Sequence, residues 1–174
     1  MTIHTEHPFI DPARDGGRQF RGRLGNRVSL WCSGTLGGTG EERAAGLTVS
    51  SILVVPGDPW RVVGFIDPES SLATPLLSTR RATVALLEWP HRQLADMFGG
   101  MAPAPGGAFQ HAQFTQTSHG PRLGDAQTWA AVSLEVATGV GWMLQLTCTI
   151  DEIAIGADDA PLHHTRGRYT TTDR

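Results

Sequence analysis

Apolar and polar positions alternate in short runs along most of the chain, the signature of half-buried strands. Val28-Ser29-Leu30-Trp31-Cys32-Ser33 alternates apolar with small or amphipathic residues and reads as a strand. Leu47 to Val55 predicts a second strand, ended by Pro56-Gly57. Arg61 to Ile66 predicts a third, short and β-branched. Pro56-Gly57-Asp58-Pro59 between them is turn chemistry and makes the two antiparallel neighbours. Ala82 to Leu87 is a nearly continuous apolar run, as in a strand buried on both faces. Trp129 to Ala137 and Trp142 to Ile155 are two late strands, with Thr138-Gly139-Val140-Gly141 as the turn between them. Leu162 to Tyr169 closes the chain.

Only two stretches suit helices. Pro75 fits the first turn of a short one. Pro90 opens the other, where Leu94, Met97 and Phe98 share a face and Gly99-Gly100 stops it. Gly34 to Gly40 is a turn. Met101 to Ala108, rich in Pro and Gly, is either a lid over a site or a plain connector. Many strands and two short helices predict a mainly β fold, a closed or nearly closed barrel with helical insertions. A length of 174 residues suits one domain. Residues 1–19 are polar and aperiodic, and read as an arm.

Composition narrows the function. The net charge of −3 argues against a nucleic-acid binder. All 14 basic residues are Arg, so no lysine Schiff base is available. Cys32 and Cys148 each sit in an apolar run and read as buried free thiols. No run reaches the length of a membrane span, and Met1 to Ile10 lacks the apolar core of a signal peptide. The expectation is a soluble, cytoplasmic protein with no membrane partner. His163 and His164 are neighbours on a strand and point to opposite sides, so a shared metal is not expected. Asp151 and Glu152 are adjacent in the same way, which disfavours a paired-carboxylate site.

Small hydroxyl residues carry most of the candidate chemistry. Thr48-Val49-Ser50-Ser51 lies on a strand beside Gly46. Asp67-Pro68-Glu69-Ser70-Ser71-Leu72 joins a strand to a helix. Backbone N–H groups at such a junction bind anions, and Ser hydroxyls would add donors. Ser70 and Ser71 serve equally well as helix caps, and spacing alone leaves both roles open.

Gly46-Leu47-Thr48-Val49-Ser50-Ser51 resembles the glycine-apolar-Thr-x-Ser-Ser strand of the flavin reductase-like FMN-binding domain family. Further resemblances follow in family order. They are Asp67 to Ser71, Arg81 to Leu87, Gln93 to Gly100, and Pro161-Leu162 with Arg166-Gly167-Arg168-Tyr169. Phe20-Arg21 with Leu24-Gly25 resembles the usual opening. The likeness spans Phe20 to Tyr169, which sets the domain at 20–174. It implies a split β-barrel, a homodimer, and bound FMN, with FAD the less expected flavin. It also implies that Thr48, Val49, Ser50 and Ser51 approach the flavin. Asp67, Ser70, Ser71 and Leu72 would hold its phosphate, with Arg80 and Arg81 nearby. The activity implied is an NAD(P)H-dependent flavin reductase, with reduced flavin passing to oxygen or to a partner monooxygenase.

Two departures bear on that activity. The family's Gly-Asp-His before the late strand is replaced by Gly141-Trp142-Met143, so Trp142 stands where a His meets the nicotinamide. Trp142 would stack on that ring, block it, or simply pack in the core. Arg168 belongs to the same nicotinamide side. The alternative is a flavin-binding barrel without reductase activity, or one holding a deazaflavin or haem.

Overall fold

The computed structural model describes residues 16, 17, 20, 23 and 26–172. Residues 26–172 hold eleven strands and two α-helices: β1 Ser29–Ser33, β2 Ala45–Val49, β3 Ile52–Val55, β4 Arg61–Ile66, α1 Ala73–Thr79, β5 Arg81–Leu86, α2 Arg92–Phe98, β6 Phe114–Thr117, β7 Gly120–Leu123, β8 Thr128–Val140, β9 Met143–Ala154, β10 His163–Thr165 and β11 Arg168–Thr170. The fold is mainly β, as the alternation predicts.

Seven strands form one sheet in the order β2-β1-β5-β8-β9-β4-β3. Every neighbouring pair in it is antiparallel. β2 and β3 occupy opposite edges, yet only Ser50 and Ser51 separate them in the chain. Val49 and Ile52 therefore lie within about 11 Å of each other. The sheet must curl until its edges meet. At that corner the Phe65 N–H of β4 donates to the Ser51 carbonyl at 3.0 Å, which extends the β3–β4 ladder by one residue.

This corrects the single strand expected over Leu47 to Val55. The inward parity slips by one at Ser50-Ser51, from Val49 to Ile52 and Val54, where the chain leaves its partner β1 and joins β4 on the other edge. The late turn also moves. Val140 pairs with Met143, so Gly141-Trp142 form a two-residue hairpin turn and β9 begins at Met143. Gly141 supplies the positive φ of 58° such a turn needs.

The curled sheet encloses one apolar cluster, with Trp31, Val62, Val84, Val132, Leu146 and Cys148 among its members. Trp31 is fully buried and satisfies its ring N–H on the Ser29 hydroxyl at 3.1 Å. Ser29 in turn donates to the Val49 carbonyl at 2.6 Å. A methyl group at Gly64 would stand 2.9 Å from Cζ2 of the Trp31 ring, so this strand position has room only for hydrogen. Phe20 is buried in the same cluster. Of the arm expected over 1–19, only Gly16 and Gly17 are described; they sit against Ile153 and the Trp60 ring.

A second cluster covers the outside of β1, β5 and the start of β8. Leu94, Ala95 and Phe98 of α2 reach it, with Leu30, Cys32 and Ala131 from the sheet. This explains why all five residues of β1 are buried. β3 instead alternates buried with exposed residues, and β4 alternates buried with half-buried ones. Cys32 and Cys148 are free and lie in different clusters, one outside the barrel wall and one inside it. Burial alone raises the Cys32 thiol, and burial is the main cause pushing Cys148 up to about 12, so both stay protonated. Among the described residues, no helix is long and apolar enough to cross a membrane.

Gly64→Ala is expected to destabilise the fold by about 1–3 kcal/mol, because the added methyl must displace the Trp31 ring. Urea denaturation followed by circular dichroism should show a lower midpoint at an unchanged slope. An unchanged midpoint would mean that the ring moves freely at this point.

Candidate functional site

The chain leaves β4 at Ile66 and turns at Asp67. The Asp67 carboxylate accepts the Glu69 N–H at 2.8 Å, and its carbonyl accepts the Ser70 N–H at 3.0 Å. That turn presents Ser70 and Ser71 at the start of α1. Across from them, β2 brings Gly46 and Leu47. The end of α2 brings Phe98 and Gly99. Together they line a groove of about 670 Å³. Ala104, Gly107 and Ala108, from the Pro/Gly loop, form a further wall.

Packing holds these walls in place. The Thr48 hydroxyl donates to the Ala95 carbonyl at 2.7 Å and ties α2 onto β2. A methyl at Gly46 would stand 2.7 Å from the Phe98 ring and 3.1 Å from the Cys32 sulfur, so α2 docks directly on the β2 backbone. Phe98, Phe109 and Phe114 meet edge to face, with centroids 4.8–5.9 Å apart. This trio fixes Phe109 as part of the groove lining.

The hydroxyl oxygen of Ser70 is buried and, among the described residues, has no hydrogen-bond partner. A buried hydroxyl without a partner costs about 1–3 kcal/mol. The capping role left open by the sequence is not taken up: no side chain caps α1, whose N-cap position is Leu72. The groove lining holds one cation, Arg43, and no carboxylate. A donor-rich, acid-free groove with an orphaned hydroxyl fits an anionic group such as a phosphate.

The residues expected at the site divide accordingly. Ser70 and Ser71 line the groove, with Thr74 beside them. Asp67 shapes the turn beneath them. Leu72 and Val49 are buried in the barrel core. Ser50 and Ser51 lie exposed at the seam. The Arg80 guanidinium donates to the carbonyls of Leu134 at 2.7 Å and Glu135 at 2.8 Å, which ties it to β8. Arg81 is exposed and reaches the Ser118 carbonyl at 3.4 Å. Arg168 is exposed on β11. Trp142 is 95% exposed at the tip of the β8–β9 turn, which rules out the core-packing role. Neither Trp142 nor Arg168 lines the groove.

Sequence reading missed Gly46, Arg43 and Phe109 as lining residues. Their signals were a glycine within a strand, an Arg beside a Gly-rich turn and a Phe after a Pro/Gly loop, all too common to single out. A second cavity, about 710 Å³, shares Met97 with the groove. It holds none of the expected residues. Its His91 accepts the Glu88 N–H on Nδ1 at 3.0 Å and faces Asp125 through Nε2 at 3.2 Å.

The chain matches the flavin reductase like domain over residues 21–173. It belongs to that family. Its structure resembles flavin reductase PheA2 in its native state, with a TM-score of 0.74 at 20% identity, covering 90% of this chain and 98% of that one. It also resembles the NADH:FAD oxidoreductase SgcE6 of Streptomyces globisporus C-1027, with a TM-score of 0.73 at 16% identity, over 95% and 97% of the two chains. A third likeness is to the styrene monooxygenase flavin reductase of Pseudomonas putida S12, with a TM-score of 0.70 at 19% identity, over 86% and 92%. At these identities the structures establish the shared fold. No curated protein matches the chain by sequence.

Thr48→Ala removes the bond that ties α2 to β2 and is expected to cost about 0.5–1.5 kcal/mol of stability. Chemical denaturation measures it. A variant as stable as the parent would show that α2 is held by its apolar face alone.

Proposed function

We propose that this protein is an NAD(P)H-dependent flavin reductase that holds FMN in the groove between β2, α1 and α2. The observation that carries the reading is the orphaned Ser70 hydroxyl, buried in an acid-free groove. A phosphate oxygen would accept its proton and remove the desolvation penalty. Ser71 adds a second hydroxyl at the groove rim. Gly46 and Leu47 give a flat backbone wall for a planar ring, and Phe109 closes it from the side.

Held by Ser70 and Ser71 against the Gly46-Leu47 backbone, FMN would supply the two-electron chemistry that links a nicotinamide to oxygen or a partner enzyme. The chain's own residues bind and orient. No groove side chain is a carboxylic acid or a histidine, so proton delivery falls to solvent at the open face. The absence of a histidine where Trp142 stands is compatible with that division of labour. A monooxygenase as the recipient of reduced flavin is supported by the named role of the P. putida neighbour.

A homodimer is part of the same proposal. Leu53, Val55, Val136, Val140, Trp142 and Met143 are all at least 39% exposed along β3 and the β8–β9 hairpin. Apolar groups in this number on bare strand faces suit coverage by a second copy. Sedimentation at micromolar concentration should show twice the chain mass, and a species of single-chain mass alone would count against the dimer.

Ser70→Ala separates binding from folding. Deleting an unsatisfied buried hydroxyl should leave the melting temperature equal or higher. The same change should weaken FMN by about tenfold or more, the value of a hydrogen bond to a charged group, and riboflavin much less. Equal loss for both flavins would place the phosphate elsewhere. Anaerobic stopped-flow mixing with NADH and NADPH then tests the reaction. Bound FMN should bleach with either or both nicotinamides; an oxidised spectrum that persists would make this a flavin-binding protein without reductase activity. Trp142→Ala in the same experiment should alter the nicotinamide concentration dependence if that ring meets the substrate, and leave it unchanged if it does not.

A further inference from the structure

The cavity of about 710 Å³ is walled by α2 on one side and by β6, β7 and the residues flanking them on the other. Its lining mixes apolar side chains with one arginine, Arg122, and one carboxylate, Asp125. We infer that it is a binding site for an α-amino acid with a large apolar side chain, held as the zwitterion with its carboxylate on Arg122 and its ammonium on Asp125. The cavity shares Met97 alone with the groove, and the site does not depend on what fills the groove.

Charge and geometry select that ligand together. A ligand with a single charge would satisfy one of the two ionic side chains and face the other without a partner; a zwitterion satisfies both. Arg122 and Asp125 are three residues apart, so their Cα atoms lie within about 11 Å, and their side chains can meet the two ends of one small molecule. The Arg122 guanidinium stacks on the Trp129 ring at 5.2 Å, and among the described residues its N–H groups have no hydrogen-bond partner. The stack fixes the plane of the fork and leaves its edge open, and that edge is what a carboxylate takes through two parallel hydrogen bonds. Asp125 is held from behind. His91 is buried and accepts the Glu88 N–H on Nδ1 at 3.0 Å, so its ring proton sits on Nε2, 3.2 Å from Oδ1 of Asp125. The Asp125 side chain is 71% exposed, and among the described residues its second carboxylate oxygen has no partner.

A second acceptor stands in the same lining. A carbonyl can only accept, so the 3.0 Å contact between His111 Nε2 and the Pro105 carbonyl places the ring proton on Nε2. Nδ1 of His111 is left with a lone pair, which suits an ammonium. Leu94, Met97 and Ala112 give the ligand's side chain an apolar wall, and the unbranched thioether of Met97 adapts to a flat ring as well as to an aliphatic chain. The volume is that of an ordinary small-molecule pocket, with room for a phenyl ring. The turn that carries both charges is set before any ligand arrives. The Gly124 N–H donates to the Gln113 carbonyl at 2.8 Å and the Ala126 N–H to the Leu123 carbonyl at 3.3 Å. Preorganised backbone of this kind lowers the ordering cost of binding.

Isothermal titration of the full-length protein with phenylalanine, with hydrocinnamate, which lacks the ammonium, and with phenethylamine, which lacks the carboxylate, tests the site. Phenylalanine should bind, and each analogue should bind about tenfold or more weakly, the value of a hydrogen bond between charged groups. These three ligands decide the charge requirement on the unaltered protein, without any variant. Arg122→Gln should weaken phenylalanine by about tenfold and leave phenethylamine unchanged. Asp125→Asn should weaken phenylalanine and leave hydrocinnamate unchanged. A cavity that had lost its fold would weaken every ligand alike, so the crossed pattern reports the two contacts themselves. Saturating FMN should leave phenylalanine binding in place. The inference is overturned if phenylalanine gives no binding at millimolar concentration, if either analogue binds as tightly, if the variants lack the crossed pattern, or if FMN displaces the amino acid, which would put it in the groove. Phenylalanine binding with the crossed pattern in a protein that fails to bind FMN would uphold this site and remove the flavin reading.

Discussion

Between Val49 and Ile52 the chain has only two residues with which to pass from one edge of a seven-stranded sheet to the other. An open, flat sheet would hold those edges about 29 Å apart, six inter-strand spacings of roughly 4.8 Å. Two residues span far less. Closure is therefore imposed by covalent connectivity, and the rest of the architecture adapts to it. The interior narrows enough for one large ring, Trp31, to fill it, and that in turn requires glycine at position 64. The two edge strands are thereby brought together at the Ser50-Ser51 corner.

Closure also decides where a ligand can sit. The interior is filled by buried apolar side chains such as Trp31, Val84, Val132 and Leu146. The groove instead forms outside, where β2, the α1 junction and the end of α2 converge. Its depth depends on α2 lying close to β2. Gly46 permits that approach and Thr48 locks it. The strand that resembles the family's flavin-binding motif therefore contributes backbone and fastening more than side-chain contacts. Val49 points into the barrel, and Ser50 and Ser51 are at the seam.

Local pattern made much of this fold legible. β1, β4, β5 and α2 lie within one or two residues of the runs that predict them, because each is buried strongly on a definite face. The break at Ser50-Ser51 was not legible. Its one trace is a single-residue slip in the inward parity, from Val49 to Ile52, which a bulge inside one continuous strand would also produce. The late turn was misplaced for a similar reason: Gly139 and Gly141 are both plausible turn residues, and only the pairing of Val140 with Met143 selects the second. At the site, Ser70 and Ser71 were legible as donors, but their release from capping was not. That depends on how Asp67 turns the chain. Arg80 read as a phosphate ligand, yet its left-handed backbone at φ 57° turns the guanidinium toward β8 carbonyls.

An all-arginine cation set sharpens the assignment of roles. Each buried or half-buried Arg among the described residues makes a contact within the fold. Arg27 holds the Leu87 carbonyl at 2.7 Å and pairs with Asp158. Arg92 lies over Trp89 at 5.0 Å, and Arg122 lies over Trp129 at 5.2 Å, a stack that leaves its N–H edge open. On the surface, Arg61 makes a two-point contact with Glu135 at 2.8 and 2.9 Å. A guanidinium whose N–H groups are already bonded cannot also serve a ligand without breaking those contacts. Arg43 is different because it lines the groove and, among the described residues, has no hydrogen-bond or ion-pair partner. On the proposed reading, an anion in the groove would meet one charged side chain, Arg43, with neutral donors such as Ser70 around it. A lysine at position 43 would keep the attraction but lose the planar fork, so the choice of arginine favours ligands with adjacent oxygens over a lone carboxylate on a flexible chain.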